Sequence, residues 1–192
     1  MATWVLVRHG KSEANVGRWL SGHRDVGLVP EGEDQARALV GPLAPYPFER
    51  TFSSDLRRAV DTARLALAGR AVQVEVTSAL RERDVGAWTG VPLDQVDGWR
   101  TVLESWTLRP PGGESLADVA RRAVAWLAAQ PDGGDTLVVA HGGTLRALTG
   151  LLDGLEGDAR AASWIDNAAP IVREVGAGQW AEIARRLAAE AA

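Results

Sequence analysis

Val5-Leu6-Val7-Arg8-His9-Gly10-Lys11-Ser12-Glu13-Ala14-Asn15 joins an apolar segment directly to a cluster of reactive side chains. The run from Trp4 to Val7 reads as a buried strand. It stops abruptly at a guanidinium, an imidazole and a glycine. The carboxyl ends of strands in open α/β sheets are where ligands bind, so this junction is a place for chemistry. Gly10 lacks the Cβ that would stop the backbone turning sharply or approaching a ligand. Taken alone, Arg-His-Gly is better described as a strand entering a polar turn with a structural histidine, and only further matches downstream outweigh that reading. A second junction of the same kind lies far along the chain. Thr136 to Ala140 is another unbroken apolar strand, and it ends in His141-Gly142-Gly143.

Between these junctions the chain alternates strand and helix signals. Trp19 to Asp25 is a loop by its Ser, Gly and charge content. Pro30 occupies a first helical position, and Glu31 to Leu43 continues as a helix closed by Gly41-Pro42 and Pro45-Tyr46-Pro47. A short strand at Arg50-Thr51-Phe52 leads into Ser53-Ser54-Asp55, read as an N-cap cluster. Leu56, Ala59, Val60, Ala63 and Leu67 then recur at helical spacing up to Gly69. Val72 to Val76 alternates as a strand, and Leu80 to Trp88 is irregular and charged. Asp94 to Leu108 reads as a helix with Val96, Trp99, Leu103 and Trp106 on one side. After the break Arg109-Pro110-Pro111-Gly112-Gly113, Ser115 with Asp118 caps a helix running to Gln130. Pro131 to Gly134 is a turn, and Thr144 to Leu152 a helix. Ile171 to Ile183 suggests a hairpin followed by a helical tail. The pattern implies a single α/β domain over residues 1–192, a three-layer α/β/α sandwich with a mostly parallel sheet.

Composition narrows the function. The 192 residues are 46% hydrophobic and 24% charged, enough for a sizeable core in one domain. There is no cysteine, so disulfides and thiolate metal sites are excluded. The formal net charge of −4 gives no global basic field for nucleic acid, so an anion site must be local. Lys11 is the only lysine among 21 basic residues, and against 20 arginines a lone arginine signals little. Met1-Ala2-Thr3 runs straight into the first strand without a basic leader, and no apolar run reaches membrane-spanning length. The compartment expected is the cytoplasm, with no membrane or nucleic-acid partner; the oligomeric state is open.

Four motifs in order make the chain resemble the histidine phosphatase superfamily, in its phosphoglycerate mutase-like branch. Arg8-His9-Gly10 with Asn15 is similar to the family's opening signature. Ser54-Asp55-Leu56-Arg57-Arg58-Ala59 with Thr62-Ala63 is similar to its second arginine motif and points to Arg58, with Arg57 as the neighbouring alternative. Leu80-Arg81-Glu82, with Gly86, Trp88 and Gly90, resembles the acid motif and points to Glu82, with Asp84 as the rival. Val138 to Gly143 resembles the second-histidine motif. Gly22 and Asp25 in the first loop, Gly32 with Gln35-Ala36, and Pro111 to Ser115 are lesser matches. Lys11 departs from the Glu or Gln common after Arg-His-Gly and resembles a small branch of phosphohistidine-protein phosphatases. That branch tends to lack the acid motif present here.

The resemblance implies a metal-independent phosphomonoesterase with no cofactor, acting on a small phosphate ester through a phosphohistidine. Arg8 and Arg58 supply planar forks for phosphoryl oxygens. Neutral His9 attacks phosphorus. A cationic His141 donates to the oxygens as charge builds, and Glu82 protonates the leaving alkoxide. Asn15, Ser21, Gly22, Gly142 and Lys11 complete the expected phosphate and substrate contacts, with amides at Gly142-Gly143 opening a helix. His23 reads as a loop residue, and Trp88, Trp99 and Trp106 as core or lid packing. The alternatives are a phosphoglycerate mutase using the same residues, a phosphohistidine-protein phosphatase, and a non-catalytic phosphate-binding module. The short segment between Glu82 and Pro111 favours the phosphatase, because mutases of this family carry an insertion there.

Overall fold

A computed structural model describes residues 1–191 and shows a five-stranded sheet covered on both faces by helices. In chain order the elements are β1 (Ala2–Arg8), α1 (Glu13–Gly17), α2 (Pro30–Ala38), α3 (Val40–Leu43), β2 (Arg50–Ser54), α4 (Arg57–Ala66), β3 (Val74–Thr77), α5 (Trp99–Leu103), α6 (Leu116–Ala128), β4 (Thr136–Ala140), α7 (Gly142–Leu152), β5 (Pro170–Val175) and α8 (Gln179–Ala189), with isolated 3₁₀ turns between them. The strand order is β3-β2-β4-β1-β5. Four strands are parallel, and β5 lies antiparallel on β1 at the edge. This is the expected sandwich with a mostly parallel sheet. Among the described residues no helix is long and apolar enough to cross a membrane.

Alternation along the central strands builds the two halves of the core. Trp4 and Leu6 of β1 and Val138 and Ala140 of β4 face α6, α7 and α8. Val5 and Val7, with Leu137 and Val139, face Leu39, Leu43 and the alanines Ala59, Ala63 and Ala66 of α4. Both strands are buried on both sides, which is why they read as unbroken apolar runs.

Register is what positions the chemistry. Val7 pairs with Val139 and Arg8 with Ala140, so the next residues, His9 and His141, leave adjacent parallel strands at the same level. On the other side of β4, Ser53 pairs with Val139, which brings Ser54 level with Ala140, one residue before His141.

Several elements depart from the periodic reading. The Glu31–Leu43 helix breaks at Leu39, because Pro42 has no N–H to bond Ala38. Ser53 and Ser54 belong to β2 rather than to a cap. The first turn of α4 is instead satisfied from a distant loop, Arg57 N donating to Asp25 Oδ1 at 2.8 Å. The Asp94–Leu108 helix shrinks to α5. Gly98, at φ +67°, opens it in the left-handed region, and Asp158 Oδ1 captures the Trp106 amide at 2.6 Å beyond its end. Val96 and Trp106 are nonetheless buried. The expected hairpin is absent: Ile171–Val175 pairs with β1, and Gln179–Ile183 is the start of α8. The short α1 is an addition, closed by a Ser12–Asn15 capping box.

Candidate active site

Beyond the carboxyl ends of β1 and β4, the His9 and His141 rings lie side by side, centroids 5.1 Å apart. Both are buried, at 4% and 0% exposure. His9 Nδ1 is 2.8 Å from the Gly10 carbonyl oxygen. A carbonyl only accepts, so Nδ1 carries the hydrogen and the lone pair of the neutral ring sits on Nε2. Burial first, then the guanidiniums of Arg58 and Arg8, push the His9 pKa well below the ordinary imidazole range. His9 is therefore a neutral base with an available nitrogen.

His141 is held from the other side. Its Nε2 lies 2.8 Å from Ser54 Oγ. That oxygen also accepts from the Leu56 amide at 3.3 Å, and among the described residues its own hydrogen has no hydrogen-bond acceptor other than His141 Nε2, which leaves the ring proton on Nδ1. The cationic His141 expected around a phosphoryl group is not the state of the unliganded site. Burial, Arg58, His9, Arg8 and Arg122 together drive its pKa well below the ordinary value, and the ring is neutral. It remains a donor through Nδ1–H, which is buried without a partner among the described residues.

Arg8 and Arg58 flank the pair. Arg58 is 1% exposed and is oriented by two carbonyls of the first loop, Nη2 donating to Gly22 O at 2.9 Å and Nη1 to Arg24 O at 3.1 Å. Its neighbour Arg57 is 70% exposed and pairs with Asp61, so only Arg58 reaches the cluster. Arg8 donates from Nη1 to Ile165 O at 2.7 Å. The Nε atoms of both arginines are buried and unpartnered among the described residues. With His141 Nδ1 they are three donors lacking an acceptor, an arrangement that suits a multivalent anion.

Glu82 reaches the same place from the segment after β3. Its Oε1 accepts from Arg83 N at 2.8 Å and its Oε2 from Gly143 N at 3.1 Å, in the first turn of α7 behind His141. Burial pushes the carboxyl pKa upward, but those two amides with Arg146 and Arg58 outweigh it, and the pKa lies below the ordinary value. Glu82 is ionised in the unliganded protein. Asp84, the rival acid, turns instead to its own chain, accepting from Gly86 N at 2.8 Å.

The remaining candidates divide. Gly22 contributes its carbonyl to Arg58, and Ser21 O closes the turn on Arg24 N at 2.8 Å. Gly142 lies against Arg8: a Cβ there would sit 3.4 Å from Arg8 Nε. The Gly143 amide is engaged by Glu82 rather than free for a ligand. Asn15 spends Oδ1 on Ser12 N and Ser12 Oγ, both at 3.0 Å, leaving its NH₂ as a donor. Lys11 does not join the group. Its ammonium is 2.8 Å from Glu31 Oε2 in the first turn of α2, an exposed ion pair. The close approach expected of Gly10 is to backbone, since a Cβ there would lie 2.3 Å from Gly32 O.

Sequence reading missed the braces. Asn167 Nδ2 donates to His9 O at 2.7 Å and Ala168 N to Arg8 O at 2.9 Å. His23 is more than loop filler: its Nε2–H donates to Glu82 O at 2.8 Å, and Arg122 Nη2 donates to the same oxygen at 2.8 Å. The loop that aims Arg58 thus also holds the Glu82 backbone. Arg83, the residue after the acid, is 2% exposed and caps α5 at Val102 O and Leu103 O. Burial lowers its pKa to about 10, so it stays charged. Backbone carbonyls accept most of these bonds, and no residue type marks them in advance.

Two strand-end imidazoles, two guanidiniums and a carboxylate thus surround unpaired donors at the carboxyl edge of the sheet. The chain belongs to the histidine phosphatase superfamily (branch 1), whose profile matches residues 4–186. Among its relatives, the glucosyl-3-phosphoglycerate phosphatase of Mycolicibacterium vanbaalenii is 36% identical over 200 aligned residues, covering 94% of this chain and 83% of that protein. A 2,3-bisphosphoglycerate-dependent phosphoglycerate mutase of Cytophaga hutchinsonii is 36% identical over 164, covering 77% and 76%. Among solved structures, a mycobacterial glucosyl-3-phosphoglycerate phosphatase in complex with VO3 superposes with a TM-score of 0.83 at 32% identity, covering 90% of this chain and 92% of that one.

Proposed function

We propose that the protein is a phosphomonoesterase that hydrolyses small phosphorylated metabolites in the cytoplasm through a phosphohistidine at His9. The observation that carries the reading is the His9 ring: Nδ1–H tied to Gly10 O and Nε2 free, between Arg8 and Arg58. The ester phosphate is gripped by the two arginines and by His141 Nδ1–H. His9 Nε2 forms a bond to phosphorus as the ester P–O bond breaks. Glu82 protonates the departing alkoxide, then takes a proton from the water that cleaves the N–P bond, releasing phosphate and restoring neutral His9.

Glu82 is ionised before substrate arrives, so the proton for the alkoxide enters with the substrate. A phosphate monoester binds its second proton near pH 6. Its monoanion brings that proton beside a carboxylate whose pKa the phosphate's own charge raises. The depressed pKa of His9 keeps the nucleophile unprotonated below the ordinary imidazole range, so kcat/KM persists on the acid side. It declines above about pH 6 as the monoanion is lost. A profile of kcat/KM rising from pH 6 to 8 would contradict this protonation scheme.

The mutase reading has its own support in the phosphoglycerate mutases among the relatives. Against it, the chain between Glu82 and Pro111 holds only α5 and isolated single turns. Incubated with 3-phosphoglycerate and 2,3-bisphosphoglycerate, the enzyme is expected to release inorganic phosphate, at an undiminished rate in EDTA. Accumulation of 2-phosphoglycerate faster than phosphate would make it a mutase instead.

A further inference from the structure

Trp164 is 79% exposed, an unusual cost for so large an apolar surface. It is not a loose side chain. The segment that carries it is fastened to the phosphate site at three points: Ile165 O to Arg8 Nη1, Asn167 Nδ2 to His9 O, and Ala168 N to Arg8 O. The indole edge is pinned as well, Nε1–H donating to Asp166 Oδ1 at 2.9 Å. Its ring lies over the Arg8 guanidinium, centroid to Cζ 5.9 Å. An aromatic face is thereby presented to solvent beside the arginine expected to grip the phosphoryl group.

We propose that Trp164 is a stacking platform that selects esters whose leaving group is a sugar ring; the inference rests on the phosphomonoesterase reading. A pyranose offers one face of C–H bonds for an indole to cover and hydroxyls around its rim. The Asp166 carboxylate, fixed at the indole edge, accepts from such hydroxyls and repels a second anionic group. Placement separates a sugar from a nucleobase. A group stacked here lies next to the phosphate held by Arg8, which fits a ring bonded to the ester oxygen. In a nucleotide the base lies a full ribose further away.

The test compares wild type with Trp164→Ala and Trp164→Phe on glucose 1-phosphate, glycerol 2-phosphate and AMP. In the alanine variant the kcat/KM ratio of glucose 1-phosphate to glycerol 2-phosphate falls about tenfold, mainly through KM, and phenylalanine restores most of it. Two results overturn the platform: an unchanged ratio, or a larger fall for AMP than for the glucose ester. A wild type that hydrolyses none of the three and takes up no phosphate at His9 overturns the phosphomonoesterase reading and the platform together. An active wild type with an unmoved ratio overturns the platform alone.

Discussion

Replacing His9 by alanine is expected to remove turnover, lowering kcat by about 10⁴-fold or more, together with any acid-labile phosphoryl label on the protein. No second nucleophile stands ready. His141 shares the pocket, but its Nε2 lone pair is taken by Ser54 and its Nδ1 bears the proton. The fold survives, because the His9 side chain makes only one hydrogen bond, to the carbonyl of the next residue. The long-range bonds at this position belong to the main chain, His9 N to Ala140 O at 3.0 Å and Asn167 Nδ2 to His9 O, and both outlast the substitution. A cooperative thermal transition close to that of wild type, with no labelled intermediate from a radioactive aryl phosphate, is the expected pair of results. Hydrolysis of that ester at the wild-type rate would remove His9 from the nucleophile's role.

The pairing of the two histidines was legible because it depends on strand burial and register. Two apolar runs buried on both faces read as central parallel strands, and each ended in His-Gly; adjacency at one level then results if they pair in step. Arg58 and Glu82 were pointed to by resemblance, and the structure brings both side chains to the histidine pair and neither of their neighbours. Arg57 points to solvent, and Asp84 closes a turn. Charge state was not legible. His141 reads as a cation beside an anion site, yet protonation depends on how many guanidiniums surround it once the chain is folded, and on its complete burial. Lys11 reads as a phosphate ligand from its place in the signature, but the helix opened by Pro30 brings Glu31 within 2.8 Å of it. The helix expected over Asp94–Leu108 failed for a related reason. Its periodicity is genuine, and Asp158, more than fifty residues later, takes the backbone amide that would have extended it.

The second large effect is expected at Gly143, a residue that touches no substrate atom. Its amide holds Glu82 Oε2, and a Cβ there would lie 2.4 Å from Glu82 Oε1. Gly143 sits in the first turn of α7 without a positive φ, so alanine suits the backbone and raises helix propensity. The neighbour that must move furthest is the end of a flexible carboxylate, so Gly143→Ala costs little stability while swinging the acid out of place. Its kinetic signature should therefore copy that of Glu82→Gln. A proton donor matters most when the leaving alkoxide is basic and little for nitrophenolate. Both variants are expected to slow glycerol phosphate hydrolysis by roughly 10²–10⁴-fold and to affect phosphohistidine formation from a nitrophenyl ester far less. Arg58→Ala, by contrast, hurts both substrates, since the phosphoryl group is common to them. Because Gly143→Ala acts through Glu82, combining it with Glu82→Gln should add almost nothing to either alone. The decisive measurement is single-turnover phosphohistidine formation across esters of graded leaving-group basicity. Slopes equal to wild type in both variants would take the acid role from Glu82. A steeper slope in Glu82→Gln alone would keep the acid and show that the carboxylate finds its place despite the methyl group.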